Sequence, residues 1–149
     1  MAYVPKDAKW YLAELVQEIR VEDDPRNVVW RNLTLIRADS PDEAYDKALR
    51  FGHDGDTEYD NPEAKQVKIA FRGISRLDVI YDDLEDGAEL LFYSQLNVSQ
   101  KQIAELLCSK ERLSVFQPIQ PMEGPDVASA EIIDEVEKRF GITRPIRDT

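Results

Sequence analysis

A chain of 149 residues is long enough for one domain with its own core, and a 42% hydrophobic content spread along its length sets it apart from disordered sequences despite 33% charged residues. Its formal net charge is −11 and no basic stripe interrupts it, which argues against sequence-independent binding to nucleic acid or an anionic membrane, since phosphate affinity depends on Lys and Arg footprints. One cysteine, Cys108, leaves no intramolecular disulfide and fits a reducing compartment.

The stretch from Met1 to Asp7 lacks the apolar core of a signal peptide, and no apolar run approaches the roughly 18 residues of a membrane span, so a cytoplasmic protein is expected. From Trp10 to Glu22, Tyr11, Ala13, Leu15, Ile19 and Val21 alternate with Glu14, Glu18, Arg20 and Glu22, the two-residue period of a half-solvated strand. Asp23 to Asn27 is a turn, and a second strand follows over about Val28 to Ala38, with Trp30, Thr34 and Ile36 opposing Arg31, Leu33, Leu35 and Arg37. The two make an antiparallel hairpin.

Ser40-Pro41-Asp42-Glu43 combines a capping serine, proline at the first helical position and a glutamate three residues after the cap. It predicts a helix from Pro41 to about Phe51, stopped by Gly52. His53 to Lys65 reads as a polar, acidic loop. Val67, Ile69 and Phe71 begin a third strand in which Gly73 marks a bulge or bend, because the pattern resumes at Leu77 and Val79. Glu85-Asp86-Gly87 is a hairpin-type turn signal, placing a fourth strand at Ala88 to Leu96. Asn97 or Ser99 can cap a helix from Gln100 to about Ser109, with Ile103, Leu106 and Leu107 on its inner face. A proline-rich connector leads from Gln117 to Pro125, and a last amphipathic helix runs from about Val127 to Phe140 with Gly141 as its stop. The tail from Ile142 to Thr149 is expected to fray.

The acidic loop is the first candidate for function. Asp54, Asp56, Glu58 and Asp60 alternate strictly, with no Lys or Arg between His53 and Ala64. In an extended chain, alternate side chains stand about 6.7 Å apart, so each neighbouring pair repels by about 0.6 kcal/mol even in water. A mobile loop, a cation or a basic partner would relieve that. A calcium loop of the EF-hand type fails on detail: counting from Asp54, Tyr59 and Lys65 stand where glycine and a bidentate glutamate are required.

His53 is the one histidine, and a His53–Asp54 pair is the conceivable general base, although adjacent residues rarely orient as a dyad. One histidine and one cysteine do not make a zinc site, and no glycine-rich phosphate cradle occurs, so neither metal nor cofactor is expected. Cys108 reads as a small buried hydrophobe. The second acidic cluster, Asp82 to Glu89, is explained by turn chemistry. Trp10 and Trp30 are packing aromatics by default, and interface anchors if either faces outward.

Lys9-Trp10-Tyr11-Leu12-Ala13, then Trp30 to Ala38 running into Ser40-Pro41-Asp42-Glu43-Ala44, and later Phe71-Arg72-Gly73-Ile74, resemble a small bacterial family known only as a domain of unknown function. The likeness covers about residues 9 to 96. It brings no activity and no catalytic residues, and implies a small free-standing protein with a binding or accessory role.

The fold expected is α+β, in the order β-β-α-β-β-α-α, with a four-stranded antiparallel sheet and helices on one face. Residues 1–116 form the domain, and 117–149 a connector and helix docked on it. The expected function is a non-enzymatic interaction module, immunity- or inhibitor-like, whose acidic surface takes a basic protein partner through Asp54, Asp56, Glu58, Tyr59, Asp60 and Trp30. A hydrolase using His53 with nearby carboxylates and a homodimer joined through a sheet edge or the last helix are the alternatives.

Overall fold

A computed structural model describes residues 3–144, so the last five residues of the expected fraying tail lie outside the described residues. The order of elements is the expected one: β1 (Trp10–Val21), β2 (Asn27–Arg37), α1 (Pro41–Asp54), β3 (Thr57–Asp60), β4 (Gln66–Val79), α2 (Gln100–Leu106) and α3 (Ala130–Phe140). The four strands form one antiparallel sheet in the order β2-β1-β4-β3. The fold is α+β, two hairpins joined by a helix.

One strand is not where the spacing put it. The acidic stretch supplies β3, while Ala88 to Leu96 forms no strand. The physical reason is an occupied edge: β3 pairs Thr57–Asp60 with Ile69–Gln66, taking the side of β4 on which a later strand would have added. The Glu85-Asp86-Gly87 turn does form, with the Ala88 N–H donating to the Glu85 carbonyl at 3.0 Å. It simply leads nowhere in the sheet.

The β1–β2 register pairs Tyr11 with Ile36, Ala13 with Thr34 and Ile19 with Val28, so the apolar set of each strand shares a face. On β4 the same face is held by Val67, Ile69, Phe71, Ile74, Leu77 and Val79, partners of Val21, Ile19, Gln17, Leu15, Ala13 and Tyr11. That set changes parity twice, because the register shifts between Glu14 and Leu15 and again between Val16 and Gln17. One bulge would have turned Leu77 and Val79 outward; the second restores their phase. Gly73, at φ 142°, sits between the two irregularities, where a side chain would be strained.

The core lies on this face in two clusters. Tyr11, Ala13, Leu15, Ile36 and Ala38 pack against Ala44 and Ala48 of α1, whose four-residue spacing lets the helix lie close to the strands. Ile19, Val21, Val67 and Ile69 pack with Val28, Trp30, Tyr59 and Val127, so the chain leading into α3 covers the other end. The opposite face carries ion pairs, Arg31 with Glu14 at 2.7 Å and Arg20 with Glu18 at 3.2 Å among them.

Helix α1 starts as its capping sequence requires: the Glu43 N–H donates to Ser40 Oγ at 3.1 Å, and Glu43 Oε2 accepts the Asp39 N–H at 2.9 Å. It does not stop at Gly52. That residue is buried inside the helix, where a Cβ would stand 2.3 Å from the Phe71 ring, and Gly55 forms the cap. Gly52 is there for close packing rather than for termination.

Phe92–Glu123 makes a compact unit of its own, and the described residues before and after it make the other. In this segment Ser99 caps α2 with a complete capping box, its Oγ accepting the Gln102 N–H at 3.2 Å while Gln102 Oε1 accepts the Ser99 N–H at 2.9 Å. Two short 3-10 turns follow, Lys110–Arg112 and Ser114–Phe116. The segment contains no buried residue. Ile103, Leu106 and Leu107, expected on an inner face, are exposed, and so is Cys108. A seven-residue helix has no second layer here to pack on.

Candidate functional site

The acidic stretch is a structured edge rather than a loop, and its backbone separates the carboxylates. Asp54 is the last residue of α1. Asp56 turns back onto that helix: Oδ2 lies 3.0 Å from His53 Nδ1, and Oδ1 accepts the Phe71 N–H at 2.6 Å. The His53 bond, seconded by the Phe71 N–H, lowers the Asp56 pKa below its ordinary value. Glu58 stands 3.7 Å from Lys68 Nζ, its register partner on β4. Asp60 is exposed. The repulsion that strict alternation implies is thus relieved one residue at a time, by an imidazole, a backbone N–H and a lysine.

Tyr59 and Trp30 have inward roles. The Tyr59 hydroxyl donates to the Val127 carbonyl, and burial, with the Asp126 charge behind it, raises its pKa. Trp30 is half-buried against Ile19 and Val21. Next to Tyr59, Asn61 is buried: its Oδ1 accepts the Glu63 and Lys65 N–H groups at 3.0 and 2.9 Å, and its Nδ2 donates to the Asp126 carbonyl at 2.9 Å. Arg144 closes this junction with two bonds to the Asp126 carboxylate, at 2.9 and 2.8 Å. The sequence carried no sign of it, since the contacts that join Tyr59 and Asn61 to Val127 and Asp126 span more than 60 positions.

His53 is exposed, its ring edge-on to Phe71 at 4.9 Å between centroids. Its carboxylate partner is Asp56, not the adjacent Asp54. Together the three residues pin the end of α1 to β4, which is a structural task. Among the described residues, no three His, Cys, Asp or Glu side chains are grouped as metal ligands would be, and no helix is long and apolar enough to cross a membrane.

A different place gathers acidic side chains with aromatic ones. Where β4 ends, Ile80 donates its N–H to the Trp10 carbonyl at 2.9 Å, and the chain leaves the sheet beside the segment that enters β1. Between them lies a recess of about 200 Å³, walled by Trp10, Tyr81, Lys9, Asp7, Asp82 and Asp83. Tyr81 is held by its hydroxyl, which donates to the Tyr3 carbonyl at 2.9 Å. Lys9 is engaged by Asp39 at 2.6 Å, and the Arg37 guanidinium lies 5.8 Å from the Trp10 ring centre. Asp82 Oδ2 accepts the Glu89 N–H at 2.9 Å, folding the acidic turn back on itself.

Among the described residues, Asp82, Asp83, Glu85, Asp86 and Glu89 have no ion-pair partner, and no Lys or Arg occurs between Asp78 and Lys101. An aromatic wall with carboxylates at its rim is the surrounding that a lysine or arginine side chain takes, through ring-face attraction and charge-assisted hydrogen bonds. The sequence signal is the unbroken absence of bases around Asp82 to Glu89. Trp10 joins it only through the fold.

A family model described as a domain of unknown function (DUF4288) matches residues 10–92, more than half of the chain. It takes in the whole sheet, α1 and the acidic turn, and it ends where the Phe92–Glu123 unit begins. No curated protein and no solved structure matches the chain.

Proposed function

Given that the chain belongs to the DUF4288 family of domains of unknown function, we propose that it is a non-catalytic protein-interaction module, immunity- or inhibitor-like, whose acidic surface receives a basic protein partner. The observation that carries this reading is the recess at Trp10 and Tyr81, rimmed by Asp7, Asp82 and Asp83 and bordered by an acidic turn with no base in its sequence. The receiving surface is therefore centred on Asp82 and Asp83. Of the residues the alternating pattern singled out, Asp54, Glu58 and Asp60 remain on the exterior as a secondary acidic edge. Charge of this kind steers encounter and selects against acidic partners more than it adds affinity.

A lysine- and arginine-rich peptide is the probe. In a Trp30→Phe background the remaining indole is that of Trp10, so its fluorescence reports on the recess. The peptide is expected to shift that emission with an affinity that falls as salt rises. Asp82→Asn with Asp83→Asn is expected to weaken it about tenfold, the scale of two partly exposed charge contacts. Emission that ignores the peptide, or an affinity unchanged in the double variant, overturns the reading.

A further inference from the structure

The two edges of the sheet are finished differently. β3 is four residues long and is fastened to the chain entering α3 through Tyr59 and Asn61. β2 runs for 11 residues, with no proline, glycine or lysine in it and no irregularity in its register with β1. Sheets blunt an exposed edge by keeping it short, bending it, covering it or placing proline and charge on it. Of these devices β2 has two arginines, Arg31 and Arg37, and no other.

The register says which backbone groups this edge leaves open. The Ala38 N–H donates to the Lys9 carbonyl at 2.9 Å, and the pairing continues unbroken through Tyr11 with Ile36 and Ala13 with Thr34. Hydrogen-bonded pairs alternate along an antiparallel ladder, so the even-numbered residues of β2 direct their N–H and C=O groups to β1. Val29, Arg31, Leu33, Leu35 and Arg37 turn theirs outward. Among the described residues one of these groups is taken, the Arg37 carbonyl, which accepts from Lys47 Nζ. The side chains of the same five residues stand on the face opposite the core, where Val29, Leu33 and Leu35 are 50%, 61% and 44% exposed.

The backbone decides what can cover such an edge: an extended strand offers donors and acceptors at the same spacing. Charge decides its side chains. From Pro25 to Ala38 the chain has three arginines and no Asp or Glu, although the whole carries −11. Arg26 is held by Asp24. Arg31 bonds Glu14 yet is 69% exposed, and Arg37 lies over the Trp10 ring and makes no ion pair among the described residues. Charge elsewhere in the chain is screened beyond about 10 Å in about 0.1 M salt, so the arginines beside the strand select its partner. Two β2 edges laid together would line one seam with four arginines and no carboxylate, which makes a second copy the poorer occupant.

We infer that β2 is a docking edge for an extended segment of a partner protein. The segment adds antiparallel as a fifth strand, with apolar side chains beside Val29, Leu33 and Leu35 and carboxylates beside Arg31 and Arg37. This edge lies apart from the acidic recess, and the inference does not rest on that reading.

The probe is the peptide Glu-Thr-Val-Thr-Val-Thr-Glu-Thr-Val, whose alternate residues from the first meet Arg37, Leu35, Leu33, Arg31 and Val29 in turn. Amide hydrogen exchange of the full chain reads the outcome residue by residue. The N–H groups of Val29, Arg31, Leu33 and Leu35 are expected to slow about tenfold at a peptide concentration ten times its Kd, and those of Trp30, Asn32 and Thr34 to be slow already. Methylating the backbone nitrogens of the two valines nearest the peptide's centre is expected to abolish this protection; methylating its central threonines is expected to leave it. Leu33→Pro removes an N–H that bonds nothing within the sheet, so it is expected to keep the far-ultraviolet circular dichroism and weaken the peptide at least tenfold. The methylated peptides carry the same test without altering the protein. Replacing both glutamates of the peptide by lysine is expected to weaken it about tenfold. Exchange that ignores the peptide overturns the inference, as does equal protection by the two methylated forms. Equal or tighter binding of the lysine peptide overturns the acidic occupant. Protection at the same residues that rises with protein concentration alone overturns it too, in favour of a second copy. Trp10 emission with the basic peptide is read separately, so either conclusion can fail without the other.

Discussion

Gly52 shows how much one residue can settle. A helical glycine ordinarily costs about 1 kcal/mol relative to alanine, yet a methyl group at this position would enter the Phe71 ring, with its Cβ 2.3 Å from the nearest carbon. Overpacking of that kind costs about 1–3 kcal/mol. Gly52→Ala is therefore expected to lower stability by up to about 2 kcal/mol net in denaturant unfolding, and to become stabilising in a Phe71→Leu background, where the ring is gone. A loss of stability that persists without the ring would refute the packing account. Asp24 argues from charge instead. The Arg26 side chain, with help from its backbone N–H, brings the Asp24 pKa from 3.8 down to about 2. Because the folded value lies below the ordinary one, the stabilisation is complete above about pH 4 and is lost as pH falls towards 2. Asp24→Asn should remove that acid-sensitive component from the pH profile of unfolding and leave the profile above pH 5 parallel to that of the wild type. An unchanged acid limb would show that the pair contributes nothing in solution.

At the scale of elements, the short strand β3 needs support from outside the sheet. Four residues paired on one side make a weak edge. Its continuation is fastened by Asn61, whose three hydrogen bonds join the β3–β4 turn to the chain entering α3. Asn61→Ala leaves two N–H groups and a carbonyl without those partners, which is expected to cost about 2–3 kcal/mol. Hydrogen exchange should then quicken in Thr57–Asp60 together with the residues around Asp126 and Val127. Exchange that quickens in only one of them would separate two elements that this junction makes cooperative. The acidic side chains of the same edge tolerate one another because the strand gives each a different neighbour: His53 for Asp56, Lys68 for Glu58.

Across the whole molecule, charge is sorted rather than spread. The strands carry Arg20, Arg31, Arg37, Lys68, Arg72 and Arg76 against Glu14, Glu18, Glu58, Asp60 and Asp78, so the sheet is close to neutral. Neutral too is the Phe92–Glu123 unit. The excess lies in the connecting segments and on α1 and α3, above all in the run from Asp82 to Glu89. The association proposed at the acidic recess therefore answers to salt: screening weakens its grip on a basic partner. An affinity indifferent to salt would contradict the charge sorting that underlies it.

What the amino-acid sequence determined by itself was local. Two-residue alternation set which face of β1 and β2 is apolar, Ser40-Pro41-Asp42-Glu43 set the start of α1, and Gly73 marked the irregular stretch of β4, because each depends on residues adjacent on one element. That Glu14, Glu18 and Arg20 of β1 share the face opposite the core was legible for the same reason. Tertiary structure alone decided which segment became the fourth strand, because β3 and the Ala88–Leu96 stretch compete for one edge of β4 and the nearer hairpin closes the shorter loop. It decided that Gly52 meets an aromatic ring, that Tyr59 points inward, and that Trp10 stands beside Asp82. Those are contacts between distant positions, and no period or spacing along the chain encodes them.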